Sequence, residues 1–166
     1  MKTSAGLIPY QIVNGRITVL IGHIGGPWMA KKDEGGWSII KGEYTDEEPI
    51  AAAKREFKEE TGFEAPDGRY LELGEVIQKN NKQVLAYAVE AALDTGKMYS
   101  NKVKIEWPPR SGNQREYPET DSYEYFDLPA AARKLIPEQA EFMERLAEKL
   151  GHKIQPGAGP EQNTLF

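Results

Sequence analysis

The chain predicts an α+β fold, and three observations carry the prediction. Two pairs of strand-like runs each close on a turn signal, residues 5–13 with 16–23 around Asn14-Gly15, and 70–78 with 83–90 around Asn80-Asn81. A helical pattern over residues 49–61 separates the two pairs. Two further helical patterns, 130–135 and 137–150, close the chain. Hairpins and helices that do not alternate strictly point away from a parallel sheet and toward an α+β arrangement.

In chain order, the first hairpin is followed by a glycine-rich loop containing Gly25-Gly26-Pro27 and Gly35-Gly36, and residues 37–40 read as a short strand. The first helix is well specified. Asp46 or Thr45 suits its N-terminal cap, and Glu47, Glu48 and Pro49 suit a first turn. Ala51, Ala52 and Ala53 favour helix, Ile50, Ala53 and Phe57 fall on one side and should face a core, and Gly62 ends it. Residues 103–107 and 122–128 read as strands, and Gly151 stops the last helix. The tail, 152–166, is rich in glycine, proline and polar residues and should be mobile, leaving one domain over 1–151.

Composition narrows the function. A chain of 166 residues suffices for one core. Without cysteine it has neither disulfides nor thiolate metal sites, and His23 and His152 are the only imidazoles, which disfavours zinc. His23, at a strand end, reads as structural, and His152 as part of the tail. A net charge of −5 and no long basic run argue against nucleic-acid polymers as partners. No run approaches the ~20 apolar residues of a membrane span, and the N-terminus lacks a signal-peptide core. The sequence shows no internal repeat and is silent on oligomeric state.

The chemistry is concentrated in KGEYTDEEPIAAAKREFKEETGF, residues 41–63. Glu56, Glu59 and Glu60 fall three and four residues apart, on one helix face distinct from the apolar one and expected to look outward into a cleft or solvent. Like charges at that spacing repel and destabilise a helix. The arrangement becomes favourable when a divalent cation sits among the carboxylates, since Mg²⁺ and Mn²⁺ take hard oxygen ligands.

This segment resembles the Nudix box, G-x5-E-x7-R-E-U-x-E-E-x-G-U with U bulky. Glu47, Arg55, Glu56, Phe57, Glu59, Glu60, Gly62 and Phe63 fall in place. The departure is at the front: four residues separate Gly42 from Glu47 where the motif has five. Residues 22–43 and 106–128 are also similar to a bacterial, MutT-like branch of nucleotide pyrophosphohydrolases, although Ile40 stands where that branch usually has proline.

The resemblance implies an α/β/α sandwich with a mixed sheet, and hydrolysis of a nucleoside diphosphate linked to another group. It implies Glu56, Glu59 and Glu60 as metal ligands for Mg²⁺ (or Mn²⁺), with the backbone carbonyl near Gly42 as a further contact that the shortened loop puts in question. Arg55 would orient a neighbouring carboxylate and Glu47 would support the loop. The general base would be a box glutamate or a carboxylate from a distant loop, with Glu119 the first choice and Glu116 the second.

Lys41, immediately before the box glycine, is the expected phosphate contact, by similarity to diadenosine polyphosphate and diphosphoinositol hydrolases with a Pro-Lys-Gly lead, of which this chain keeps Lys41-Gly42. Lys31 and Lys32 in the glycine-rich loop and Arg110 in Pro108-Pro109-Arg110-Ser111-Gly112 are further candidates for phosphate. Of the aromatic residues Trp28, Trp107 and Tyr117, Tyr117 is the expected base stacker and Trp107 the expected core residue. The reading is a cytoplasmic, Mg²⁺-dependent hydrolase of the asymmetrical bis(5′-nucleosyl)-tetraphosphatase type. A nucleoside triphosphate pyrophosphatase that sanitises the nucleotide pool, or a nucleotide-binding regulator without catalysis, are the alternatives.

Overall fold

A computed structural model describes residues 1–151 (for Asn80, its backbone). Its strands are β1 Lys2–Val13, β2 Arg16–Ile24, β3 Trp37–Ser38, β4 Ile40–Glu43, β5 Tyr70–Gln78, β6 Lys82–Glu90, β7 Lys102–Glu106, β8 Gln114–Pro118 and β9 Thr120–Asp127. The helices are α1 Pro49–Thr61, α2 Leu128–Lys134 and α3 Glu141–Lys149.

The main sheet runs β3-β2-β1-β6-β5, with β4 added to β1 and β9 to β2. β1 and β6 are parallel and the other pairs antiparallel, so the sheet is mixed. The β1–β2 hairpin closes at Val13↔Arg16. Asn14 (φ 51°) and Gly15 (φ 78°) both take positive φ, as a two-residue type I′ turn demands.

Side-chain alternation along the strands builds one core on each face of the sheet. Ala5, Leu7, Leu20 and Ile40 pack with Ala52, Ala53 and Phe57 of α1. Ile8, Ile17, Val19, Ile21, Val84 and Ala86 pack with Leu128 and Ala131 of α2 and Phe142, Met143 and Leu146 of α3. The result is the expected α/β/α sandwich. β7 and β8 form a separate two-stranded ribbon.

Several local expectations are corrected. α1 begins at Pro49 with Glu48 as its cap position and no side-chain capping bond, so Asp46 and Thr45 stay in the loop. The strand read at 122–128 starts at Thr120, and Leu128 opens α2 because Asp127 caps that helix, accepting from Ala130 N at 2.9 Å. The helix read at 137–150 begins as a 3₁₀ turn over Pro137–Ala140. There Gln139 is fully buried, and its amide bonds Ile39 N, Ser38 Oγ and the side chain of Gln78. β8 was not legible: QREYP has no apolar alternation and is paired only with β7. Residues 152–166, including His152, lie outside the described residues. No helix among the described residues is long and apolar enough to cross a membrane.

Candidate active site

The site forms where β4 meets α1. β4 runs antiparallel to β1 with Gly6↔Lys41 and Ala5↔Gly42 in register. A Cβ on Gly6 would lie 2.5 Å from the Ile40 carbonyl oxygen, so glycine lets the two strands come this close. A Cβ on Gly42 would lie 1.8 Å from Glu56 Oε1, so the Glu56 carboxylate rests directly against the Gly42 backbone. The sequence places all the α1 carboxylates on a face turned to a cleft or to solvent, and Glu60 does line a cleft. In the fold Glu56 and Glu60 are buried (9% and 4% exposed), and only Glu59 faces solvent. The reason is tertiary: β4 and the start of β9 cover that flank of the helix.

Arg55 organises three carboxylates. Its Nε and Nη2 donate to Glu47, the latter at 2.6 Å, while Nη1 donates to Glu56 Oε2 at 2.7 Å and Glu59 Oε2 at 3.0 Å. Bonding to Glu47 and then to Glu56 raises the guanidinium pKa further, so Arg55 stays charged. The same bond holds the Glu47 carboxyl below its ordinary range. Burial pushes the Glu56 carboxyl up; the Arg55 bond opposes this, and the charges of Glu59 and Glu119 reinforce it.

Glu60 is pushed up strongly, first by burial and then by the hydrogen bond and charge of Glu119. Thr120 Oγ1 donates to Glu60 Oε2 at 3.2 Å and works the other way. Lys41 is half-buried, and burial pulls its ammonium pKa down, as does Lys82, while Glu43, Glu60 and Glu119 pull it up. Lys41, Glu60, Glu119, Thr120, Gly25 and Val103 all line one cleft of about 340 Å³.

A short segment ties the far wall of this cleft to the end of α1. Tyr99 N donates to the Thr61 carbonyl at 3.1 Å and Asn101 N to the Glu59 carbonyl at 3.2 Å. Asn101 O in turn accepts from Glu119 N at 3.0 Å, and Ser100 Oγ accepts from Thr120 N at 3.0 Å. Tyr123 hydroxyl donates to the Glu60 carbonyl. The helix-end carbonyls are thereby satisfied by this segment and by Tyr123 of β9, and the same segment anchors Glu119. Ser100, Thr120 and Tyr123 were missed in the sequence, where nothing marks them as neighbours of a box some 40 to 60 residues away.

The NUDIX domain family model matches residues 12–146, most of the chain. The chain belongs to the Nudix family. As a Nudix hydrolase it acts on phosphoanhydride bonds. The solved structures it is similar to agree in fold. An Ap4A hydrolase of C. elegans in a binary complex superposes with a TM-score of 0.60 at 16% identity, covering 91% of this chain and 98% of that one. The NUDIX domain of Shewanella oneidensis NrtR, complexed with ADP ribose, gives 0.56 at 12% identity over 89% and 87%. The Nudix hydrolase RenU of M. smegmatis gives 0.55 at 21% identity over 90% and 85%. No curated protein sequence matches.

Within this Nudix fold the other candidates fall elsewhere. Lys31 and Lys32 line a separate hollow with His23, Asp33 and Asp121. His23 is buried there, bridging Asp121 Oδ1 at 2.7 Å and the Lys32 carbonyl at 2.6 Å, so its part is structural. Arg110 is exposed at the tip of the β7–β8 ribbon, and Tyr117 faces Val103 across it. None of Lys32, Arg110 and Tyr117 lines the cleft that holds Lys41 and Glu60. Glu116 is exposed on β8, in register with Lys104. Trp107 is not a core residue but packs edge-on against the exposed Trp28. Among the described residues, no three carboxylate or imidazole side chains stand close enough together to enclose a metal ion.

Proposed function

We propose that this Nudix hydrolase is divalent-cation-dependent and cleaves nucleoside polyphosphates, with diadenosine polyphosphates the favoured class. One observation carries the reading: Lys41 lines the same cleft as Glu60 and Glu119. A cation placed beside a carboxylate cluster suits a long, highly charged phosphate chain. The Ap4A hydrolase and the ADP-ribose-bound NUDIX domain among the structural neighbours are consistent with a nucleotide ligand.

The donor set fits Mg²⁺ or Mn²⁺. It is all oxygen, and Glu56 and Glu60 are buried carboxylates whose charge is only partly offset by Arg55 and Thr120. Glu56 and Glu60 with the backbone of Gly42 would hold the ion together with water and the phosphates of the substrate, and Glu59 would stand at its rim. When bound, the ion supplies positive charge to the phosphoryl oxygens as they become more negative. The protein's own groups do the rest. Arg55 fixes the Glu56 carboxylate. Lys41 holds a phosphate oxygen as a point charge. Glu119, exposed where it lines the cleft with Glu60, would accept the proton of the attacking water. The new P–O bond forms as the anhydride P–O bond breaks, and the leaving phosphate keeps the electron pair.

Two outcomes are expected. Turnover of a panel of dinucleoside polyphosphates, nucleoside triphosphates, nucleotide sugars and NADH should require Mg²⁺ or Mn²⁺ and stop with chelator, while circular dichroism stays native. Nucleotide binding with no metal-dependent turnover would favour the regulator, and preference for triphosphates the pool-sanitising enzyme. In the second, Lys41→Met should cost a dinucleoside tetraphosphate about 1–3 kcal/mol more in kcat/KM than a nucleotide sugar. Equal losses on both substrates would remove the argument for long phosphate chains.

A further inference from the structure

The cleft wall formed by Gly25 and Val103 leads to an aromatic pair. Along β7, Val103 and Ile105 are half-buried while Lys102, Lys104 and Glu106 are exposed, and Trp107 continues the half-buried register. The glycine-rich loop packs along this face. Gly25 N donates to the Glu119 carbonyl at 2.8 Å, and a Cβ on Gly26 would come within 3.1 Å of Ile105 Cδ1. Two residues on, the Trp28 ring meets Trp107 edge to face, with centroids 4.8 Å apart and planes at 82°.

Trp28 is nevertheless 64% exposed, so an indole face remains open to solvent. Its support is rigid. Trp107 N donates to Asn113 O at 2.9 Å, and the Glu106 carboxylate accepts from Arg110 N at 3.1 Å and Gly112 N at 3.0 Å, which fixes the ribbon tip. A large aromatic side chain held in place but uncovered gains binding surface with little ordering cost.

We infer that Trp28, backed edge-on by Trp107, is the stacking platform for a nucleobase of the substrate, which selects nucleotides whose base stands well away from the attacked phosphorus. The strand sets how far out along the cleft wall the pair stands: Trp107 follows directly on β7, four residues beyond the cleft residue Val103, about 13 Å at the rise of an extended chain. A ribose and several phosphates span such a distance; a base one phosphate from the reaction does not. Indole faces stack on any base, so the platform reads the presence of a base more than its identity. This assignment rests on the proposed nucleotide hydrolase reading and adds the place of the base to it.

The test compares wild type, Trp28→Ala and Trp28→Tyr. With a dinucleoside tetraphosphate and Mg²⁺, Trp28→Ala should raise KM about 10- to 100-fold with kcat unchanged, and Trp28→Tyr should recover most of the loss. Inorganic tripolyphosphate, a competitor without a base, should inhibit both proteins equally. In chelator, AMP should quench the fluorescence of the wild type and not that of Trp28→Ala. An unchanged KM, an equal weakening of tripolyphosphate, or AMP quenching that persists in Trp28→Ala would overturn the platform. Should the wild type turn over no nucleotide, the proposed nucleotide substrate fails on its own, and the AMP titration still decides whether Trp28 binds a base.

Discussion

Glu60→Gln is expected to lower kcat/KM by about 10²–10³-fold or more while making the metal-free protein more stable at neutral pH. Both halves follow from one fact: Glu60 is a carboxylate at 4% exposure, beside Glu119 and a turn away from Glu56. In the unfolded chain it titrates as an ordinary glutamate. In the folded protein burial and Glu119 hold its proton to much higher pH. Between those two points the native state binds more protons than the unfolded state, so stability falls as pH rises. Below the ordinary carboxylate range the loss is absent.

Glutamine keeps the shape and the bond from Thr120 but carries no charge. Melting temperatures in chelator, measured between about pH 5 and pH 8, should therefore decline less steeply for the variant than for wild type. Glu56, also pushed up by burial, retains part of the slope. Wild-type turnover by Glu60→Gln would remove this carboxylate from the active site, and parallel pH slopes would show that its charge is not what strains the metal-free fold.

That strain marks where sequence reasoning succeeded and where it stopped. The helical spacing of Glu56, Glu59 and Glu60, the glycine stop at Gly62 (φ 80°) and the Asn14-Gly15 turn are local facts, and each stands in the structure as its neighbours dictate. Which flank of α1 is covered is not local. It depends on β4 lying across β1 and on Asn101, Ser100 and Tyr123 tying β9 to the helix end.

The same long-range contacts separate the basic candidates. Lys41 is carried into the cleft by β4, whereas the Lys32 carbonyl is anchored to His23 on another side, and Arg110 rides at the tip of a ribbon whose second strand has no apolar pattern to announce it. Glu119 is legible in the sequence only through the family resemblance, because loops at that point in Nudix proteins reach over the site. What the sequence could not supply was its partner: Glu60, through Thr120 and the shared cleft.

Gly42→Ala should reduce kcat/KM by about 10²-fold with the fold intact. The backbone of Gly42 lies outside the left-handed region, so alanine meets no torsional penalty there. What its Cβ would meet is the end of one side chain: Glu56 Oε1 at 1.8 Å, Cδ at 2.0 Å and Oε2 at 2.6 Å. A glutamate can swing aside, so the stability cost is small. The carboxylate, however, must leave the position where Arg55 Nη1 holds it at 2.7 Å and where it adjoins Glu119 and Glu59. Displacing a reacting or charge-stabilising group by about 1 Å is enough for a loss of this size.

Gly6→Ala provides the contrast. There the new Cβ would sit 2.5 Å from the Ile40 carbonyl oxygen, a backbone atom that cannot rotate away, so β1 and β4 must separate and the melting temperature should drop together with activity. Measuring both quantities for both variants separates a site effect from a folding effect. If Gly42→Ala kept wild-type kcat/KM, the Glu56 carboxylate would not need its place against the Gly42 backbone.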